Sequence, residues 1–469
     1  MKRILRPYKK TVSVIKEKPT DLYRSLVGEK VGFLLESYDK NYDRYTFLGK
    51  EPEEVISSRG NALVIRKADG KEEVREGNPL ELLKEYYSSF EIRTTGEELS
   101  FHGGLVGTLG YDFIRYVEKL PDDNPDEIGI ETVQMMLVTE FIVIDHVSET
   151  MTAVVLGEDS QEGEKSALAR AEELIEKARE KQFSEEKPFL LDGRIVHKTD
   201  SLEEYSEKVE KIKHYIREGH VFQTVLSQRW TIETGQSGFD LYRRLRELNP
   251  SPYLYYFNYG DFEVIGSSPE MVVKLQGNKV YTCPIAGTRK RGKDEEEDAF
   301  LKNELLADEK ERAEHAMLVD LARNDMGRIA EFGSVKVTQF MEVQKYSHVM
   351  HICSTVEGRK KGSYHPLDLV ASFLPAGTLS GAPKIRAMEI IDELESVRRG
   401  LYGGATGYID FGGNMDFCIT IRTMIKRKEK VYLQAGAGIV ADSVPESEYQ
   451  ECCNKVMALA RTLVEEEAL

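Results

Sequence analysis

The pattern of hydrophobic and polar positions changes character along the chain. Up to about residue 185, short apolar runs alternate with Gly, Asn and Asp turns: VGFLLES, ALVIRK, LVGTLGYDFI, MMLVTEFIVIDH and TMTAVVLG. Runs of this length between turn formers predict strands. SALARAEELIEKAREKQ then repeats its apolar residues with a helical period, and FSEEKPFLLDG, charged and Pro-containing, reads as a connector. SLEEYSEKVEKIKHYIREG predicts an amphipathic helix with Ser201 as N-cap and a stop at Gly219. Strands follow at VFQTVLSQRWTI, YLYYFNYG, FEVIGSS, MVVKLQG and KVYTCPIAG, and 303–323 predicts one long helix ended by the stretch 324–327. GGATGYIDF, MDFCITIRTMI and VYLQAGAGIV predict a meander joined by GGN and KRKEK turns. A final helix begins after Ser443, with Pro445 near its first turn. Runs of strands between separated helices predict an α+β architecture with large antiparallel sheets. The chain divides into residues 1–190 and 195–469.

Composition narrows the function classes. Of 469 residues, 41% are hydrophobic and 31% charged, which fits a folded globular protein. The net charge of −17 is dispersed, and such a surface repels phosphate backbones, so nucleic acid is not an expected partner. A small anion stays possible, because a metal or local cations override net charge inside a cleft. No apolar run approaches the ~20 residues that span a bilayer. The basic start MKRILRPYKKTVSVIKEK lacks an apolar core followed by a cleavage site, so the expectation is a cytoplasmic protein without a membrane partner. Cys283, Cys353, Cys418, Cys452 and Cys453 are odd in number and without metal-ligand spacing, which predicts free thiols.

Two predicted helices carry acidic pairs three residues apart, Glu311/Glu314 and Glu448/Glu451. Such a pair shares a helix face. Two faces turned to one cavity would offer hard oxygen ligands to Mg²⁺, which keeps several waters and takes few carboxylates plus an anionic substrate. The spacing alone decides little, because 81 acidic residues produce roughly ten such pairs by chance. Glycine clusters at PAGTLSGAPK (375–384) and AGAG (435–438) permit close backbone approach to a ligand, or simply make tight turns. Neither matches a dinucleotide or Walker loop. Arg422 reads as a charge inside an apolar strand, which implies a nearby anion or a structural salt bridge. His351 lies beside a strand pattern, where a histidine is more often structural than catalytic.

Taken in order, FQTVLSQR, GSSPE, PIAGTRKRG, ERAEHAMLVDLARND, SHVMH, PAGTLSGAPK, LYGGATGY, TIRT, QAGAGIVADSVPE and EYQECCNK resemble the chorismate-using enzymes, the family of anthranilate, aminodeoxychorismate, isochorismate and salicylate synthases. The resemblance runs from about Gly219 to the C-terminus. It implies a large sandwich of two antiparallel β-sheets flanked by helices. It implies Glu314 and Glu451 as direct Mg²⁺ ligands, with Glu311 and Glu448 acting through water, and the metal holding the ring carboxylate of chorismate. Arg422, Tyr402 and the backbone of Gly436, Ala437 and Gly438 would hold the enolpyruvyl carboxylate, with Thr378 and Gly287 lining the ring pocket. Glu270 would protonate the departing hydroxyl, which requires burial to raise its pKa. His351 would assist the loss of pyruvate.

Two positions select a branch of the family. Water-adding members carry a lysine where this chain has Gln223, which positions ammonia but cannot deprotonate water. Aminodeoxychorismate synthases carry a nucleophilic lysine where this chain has Ala286. Both departures point to anthranilate formation. LLES and NPSPY resemble a feedback site for tryptophan, with Glu36 and Ser37 meeting its polar groups and Pro252 and Tyr253 its indole. None of the cysteines sits in the G-x-C-x-G-x-Q setting of a class I amidotransferase, so glutamine would serve as nitrogen donor only through a separate amidotransferase subunit, with ammonia the direct substrate. Three alternatives stay open here: an enzyme stopping at 2-amino-2-deoxyisochorismate, an aminodeoxychorismate synthase, and an inactive tryptophan-binding regulator.

Overall fold

The computed structural model describes residues 2–465 apart from 15–16, 38–43, 94–100, 182, 184–188 and 346–348. Part of the expected connector, 184–188, and the first residues of the SHVMH motif lie outside the described residues.

Two large sheets, of thirteen and twelve strands among the described residues, are antiparallel throughout except where Arg3–Ser13 runs parallel to Phe90–Ile92. The strand Tyr253–Asn258 shows why the sequence reads as nearly continuous apolar runs. Its Tyr255 and Phe257 join Phe33, Phe141 and Met136 in the core between the sheets. Its Leu254 and Tyr256 face the other way, into a core shared with the helices Gln161–Glu180, Gly238–Leu248 and Pro445–Ala460. Both faces are covered, so alternation gives way to hydrophobicity on every residue. Each large side chain buried this way contributes roughly 1.5–3 kcal/mol. The helices Glu309–Ile329 and Pro366–Phe373 cover the outer face of the twelve-stranded sheet.

Both sheets draw strands from both halves of the chain. Gly32–Glu36 pairs with Tyr253–Asn258 in one sheet, and Gly104–Leu109 pairs with Ala405–Asp410 in the other. The α+β sandwich flanked by helices is therefore the architecture present.

Several expected elements are divided. MMLVTEFIVIDH forms two strands, Val133–Val138 and Glu140–Asp145, one in each sheet. MDFCITIRTMI likewise splits into Met415–Ile419 and Thr423–Arg427, again one in each sheet. YDFI leaves its strand for a 3₁₀ turn, Tyr111–Tyr116. The single helix expected at 303–323 is two, Glu295–Ala307 and Glu309–Ile329, which continues past the expected stop. Asp308 makes the break: its carboxylate accepts the backbone N–H groups of Lys310 and Glu311 at 3.0 and 3.2 Å and so caps the second helix. The Leu202–Arg217 helix has the Ser201 N-cap, completed as a capping box by Glu204. All five cysteines are free thiols. Among the described residues no helix is long and apolar enough to cross a membrane.

Candidate active site

At one end of the sandwich the chain crosses between the sheets at two adjacent corners. Ser268 ends a strand of the thirteen-stranded sheet and Met271 begins one of the other, with Glu270 between them. Ile419 and Thr423 bracket the reverse crossing, which contains Arg422. The corners are hydrogen-bonded to each other: Ile419 N–H donates to Glu270 O at 2.9 Å, and Ser267 N–H to Arg422 O at 3.1 Å. Arg422 is thus not inside a strand. It sits on an exposed bend at φ +49°, a left-handed conformation that costs a non-glycine residue about 1–2 kcal/mol. The apolar residues around it belong to two different sheets.

Glu270 is buried, and burial pushes its carboxyl up to about 8, against the opposing pull of a hydrogen bond from Thr378 and the charge of Arg422. The Thr378 hydroxyl donates to its Oε1 at 3.3 Å from the 3₁₀ turn Gly377–Leu379. Both line a small cavity of about 30 Å³ with Asp325 and Thr282. A carboxyl in this state is protonated at neutral pH.

His351 lies within the strand Val349–Arg359 and is buried, which depresses its pKa to about 4 and keeps the ring neutral. Its Nδ1–H donates to Gly287 O at 2.9 Å, with the Thr288 hydroxyl 3.0 Å from the same nitrogen, so the basic lone pair belongs to Nε2. Gly287 has φ +65°, and a Cβ there would come within 3.1 Å of Glu311 Oε2. This close approach joins the histidine strand to the helix carrying Glu311 and Glu314.

Glu311 and Glu314 stand on the helix Glu309–Ile329 and Glu448 and Glu451 on Pro445–Ala460, and Glu314 feels the charge of Glu451 across the gap between them. Burial raises the Glu314 pKa, and the charges of Glu311 and Glu451 raise it further. Burial also raises that of Glu448, with Glu451 again adding to the effect. Two cations lean on the rim: Arg289 is 3.5 Å from Glu311, and Lys455 is 2.7 Å from Glu451. Among the described residues no three His, Cys, Asp or Glu side chains close into a metal cage. Mutually repelling acceptor-only oxygens in an open arrangement fit a hard divalent cation that keeps waters and takes a ligand from substrate.

Gln223 opens the strand Gln223–Glu233, buried, with its Oε1 lacking a hydrogen-bond partner among the described residues. Its Nε2 fills the space where a side chain on Gly438 would begin: a Cβ there would lie 2.4 Å away. Across the same ladder Gly436 pairs with Ser227 and Ala437 with Leu226, and a Cβ on Gly436 would come 3.0 Å from the Tyr402 hydroxyl. The neighbouring strand Thr423–Arg427 runs beside this one only as far as Leu433. Among the described pairings, Gly436, Ala437 and Gly438 are therefore laddered on one side only. Gly381 and Ala382 pair with Thr224 and Gln223, which ties the Thr378 loop to this strand.

A family model described as chorismate binding enzyme matches residues 33–461. The chain belongs to the chorismate-binding enzymes. It is 45% identical over 460 residues to anthranilate synthase component 1 of Acetivibrio thermocellus, covering 96% of this chain and 93% of that one. It is 43% identical over 472 residues to the protein of that name from Thermus thermophilus, covering 100% of both. The crystal structure of anthranilate synthase component I from Streptococcus pneumoniae TIGR4 superposes with a TM-score of 0.78 at 40% identity, covering 89% of this chain and 92% of that one. Chorismate-binding enzymes of this type use a divalent metal.

In this chorismate-binding enzyme the four residues expected to meet tryptophan lie at the adjoining ends of the strands Gly32–Glu36 and Tyr253–Asn258. Leu254 pairs with Glu36, which places Ser37 beside Pro252 and Tyr253. Glu36 is fully engaged: it takes two hydrogen bonds from Arg246, at 2.9 and 3.1 Å, and one from the Tyr242 hydroxyl at 2.5 Å. Tyr253 donates to Asp416 at 2.9 Å. Among the described residues the hydroxyls of Ser37 and Ser251 are buried without a partner. Sequence reasoning did not single out Arg246, Tyr242 or Ser251. Ser251 stands inside NPSPY itself, and Tyr242 and Arg246 share one helix face four residues apart.

Proposed function

We propose that this chain is the synthase subunit of an anthranilate synthase, converting chorismate and ammonia to anthranilate, pyruvate and water in tryptophan biosynthesis. The observation that carries the reading is Glu270, a carboxyl kept protonated at neutral pH by burial in a corner beside Arg422. Losing a ring hydroxyl from chorismate needs such an acid. Glu270 gives its proton to the hydroxyl, which departs as water while ammonia bonds to the ring. The Gln223 amide orients the ammonia, and the Glu270 carboxylate takes back a proton from the new ammonium. His351 Nε2 then removes the ring proton at the aminated carbon, the bond between the ring and the enolpyruvyl oxygen breaks, and the departing enolate takes that proton from the imidazolium at its methylene carbon to become pyruvate. Arg422, Tyr402 and the unladdered edge at Gly436–Gly438 hold the enolpyruvyl carboxylate, while Thr378 and Gly287 shape the ring pocket. Glu314 and Glu451, with Glu311 and Glu448 acting through water, would hold Mg²⁺, which would supply the charge that fixes the ring carboxylate.

Tryptophan binds at Ser37, Ser251, Pro252 and Tyr253 and inhibits. The hydroxyls of Ser37 and Ser251, without a partner among the described residues, support this, because a buried polar group left unpaired calls for an explanation such as a visiting ligand. Residues 1–190 then bring Ser37 to the regulatory site, while 195–469 carry catalysis and the Ser251–Tyr253 side of that site. An amidotransferase subunit supplies ammonia from glutamine. The free thiols accord with a reducing compartment, and we place the chain in the cytoplasm.

The test gives the purified chain chorismate and Mg²⁺ with either ammonium or glutamine. Fluorescent anthranilate should form with ammonium and not with glutamine. Accumulation of 2-amino-2-deoxyisochorismate, or sustained turnover of glutamine by this chain alone, would overturn the reading.

A further inference from the structure

A buried ion pair behind the cleft has no role in the chemistry above. Arg399 is 2% exposed and Glu395 6%. The guanidinium Nε donates to Glu395 Oε2 at 2.8 Å and an Nη2 hydrogen to Glu395 Oε1 at 2.6 Å. Its remaining contacts leave the pair. Nη1 donates to Leu379 O at 2.6 Å, and Nη2 to Val225 O at 2.7 Å. Glu395 Oε1 also accepts the backbone N–H and the hydroxyl of Ser227 at 2.9 and 2.7 Å. The guanidinium carbon lies 5.6 Å from the centre of the Tyr402 ring.

Leu379 follows Thr378, the residue bonded to Glu270. Val225 and Ser227 pair across the ladder with Gly438 and Gly436. Tyr402 approaches Gly436 through its hydroxyl. One fork therefore meets the Thr378 turn, the strand laddered to Gly436–Gly438 and Tyr402, three of the segments assigned to the ring and the enolpyruvyl group. We propose that Arg399, with Glu395 as its counter-charge, is a positioning residue that sets the spacing of the Thr378 turn, the Gly436–Gly438 segment and Tyr402 around chorismate. The inference rests on the functional reading above.

Stability alone does not explain the pair, since a buried ion pair is often no better than apolar residues of the same volume. Its geometry does. A planar fork spans two carbonyls and a carboxylate at fixed angles, and a lysine ammonium, a point charge on a flexible stem, cannot. Among the described contacts neither residue touches Glu311, Glu314, Glu448 or Glu451, so Mg²⁺ binding lies outside its reach.

The test compares wild type with Arg399→Lys and Ser227→Ala. Chorismate binding is measured by calorimetry with Mg²⁺ present and ammonia absent, Mg²⁺ binding without chorismate, and Tm by thermal unfolding. Arg399→Lys should weaken chorismate binding about tenfold or more, by loss of hydrogen bonds on the scale of 1.4 kcal/mol per decade, with Mg²⁺ binding within twofold of wild type. Ser227→Ala should act in the same direction by about threefold, since it removes one of the neutral contacts to Glu395. If both variants lose Tm while chorismate affinity stays at the wild-type value, the pair is structural and the proposal fails. Should Arg399→Lys not fold, Ser227→Ala decides: unchanged affinity overturns the proposal. A wild-type chain that binds no chorismate overturns the functional reading and this inference together, whereas binding indifferent to both substitutions overturns the inference alone.

Discussion

Glu270 is held between opposing influences, and the balance sets its protonation. Burial pushes its pKa from 4.5 to about 8, while the Thr378 hydrogen bond and the charge of Arg422 limit the rise. The folded state thus prefers the neutral acid, whereas the unfolded chain ionises near 4.5. Stability from this group is full below 4.5 and is lost as pH rises towards 8, by at most ~1.4 kcal/mol per pH unit. Glu270→Gln should therefore raise Tm more at pH 9 than at pH 4, while lowering turnover on the order of a hundredfold or more. Equal Tm shifts at both pH values would mean the carboxyl is not buried as described. Gly438 makes a second case at this scale. The three atoms nearest a methyl there all belong to the Gln223 side chain, the closest at 2.4 Å. Gly438→Ala should fold normally, displace the amide and raise the KM for ammonium several-fold; an unchanged ammonium KM would remove Gln223 from ammonia positioning. Glu270 and Gln223 stand in motifs that could be found by eye, but the state of Glu270 could not, because burial is a property of the assembled corner. Arg422 was misplaced for a related reason: apolar residues precede and follow it, and nothing local marks the change of sheet.

The divided elements share one physical cause. At Thr139 and again at 420–422 the chain passes between sheets whose inner faces form one core, so hydrophobicity continues through the crossing. Periodicity sees the apolar run and misses the corner. Asp308 was missed differently: it is one acid among many, and only its position marks it as a cap. Capping there fixes where the Glu309–Ile329 helix begins, hence which face Glu311 and Glu314 present. The spacing of the two acidic pairs was legible; their convergence from separate helices was not. Burial is the first cause of the raised Glu314 pKa, Glu311 on the same helix adds to it, and convergence adds the charge of Glu451. Glu314→Gln or Glu451→Gln should lower Mg²⁺ affinity and cut turnover on the order of a hundredfold or more, the scale of losing a principal electrostatic stabiliser. Calorimetric Mg²⁺ binding checks the first effect and steady-state rates the second. Full activity in excess chelator would remove the metal from the reaction.

Across the whole molecule, the interleaving of the two halves decides how an effector can act. A regulatory unit folded apart from the catalytic one would need a moving interface, but here the Gly32–Glu36 strand is laddered directly to Tyr253–Asn258. Tyr253 is in turn paired with Ser268, two residues from Glu270. A second link runs beside it. The Ser267 hydroxyl donates to Asn249 O, at the head of NPSPY, and the Ser267 N–H donates to Arg422 O. Ligand bound between Ser37 and Ser251 would therefore bear on the corner holding Glu270 and Arg422 within a few bonds, and a small shift there would move both the proposed proton donor and the proposed anion-binding cation. Coupling of this kind is reciprocal: if tryptophan weakens chorismate binding, chorismate weakens tryptophan binding by the same factor. The measurement needs no turnover. Tryptophan affinity is determined by calorimetry with and without saturating chorismate, in Mg²⁺ and without ammonia. Chorismate should weaken it about fivefold or more in the wild type. Ser37→Ala should weaken tryptophan binding in both conditions, since it removes a contact. Ser267→Ala should do something different. With the tie to Asn249 cut, tryptophan should still bind in the absence of chorismate, but the ratio of the two affinities should shrink towards one. A ratio in Ser267→Ala equal to that of the wild type would show that the effect travels by another route, and a ratio of one in the wild type would show that the two sites do not communicate.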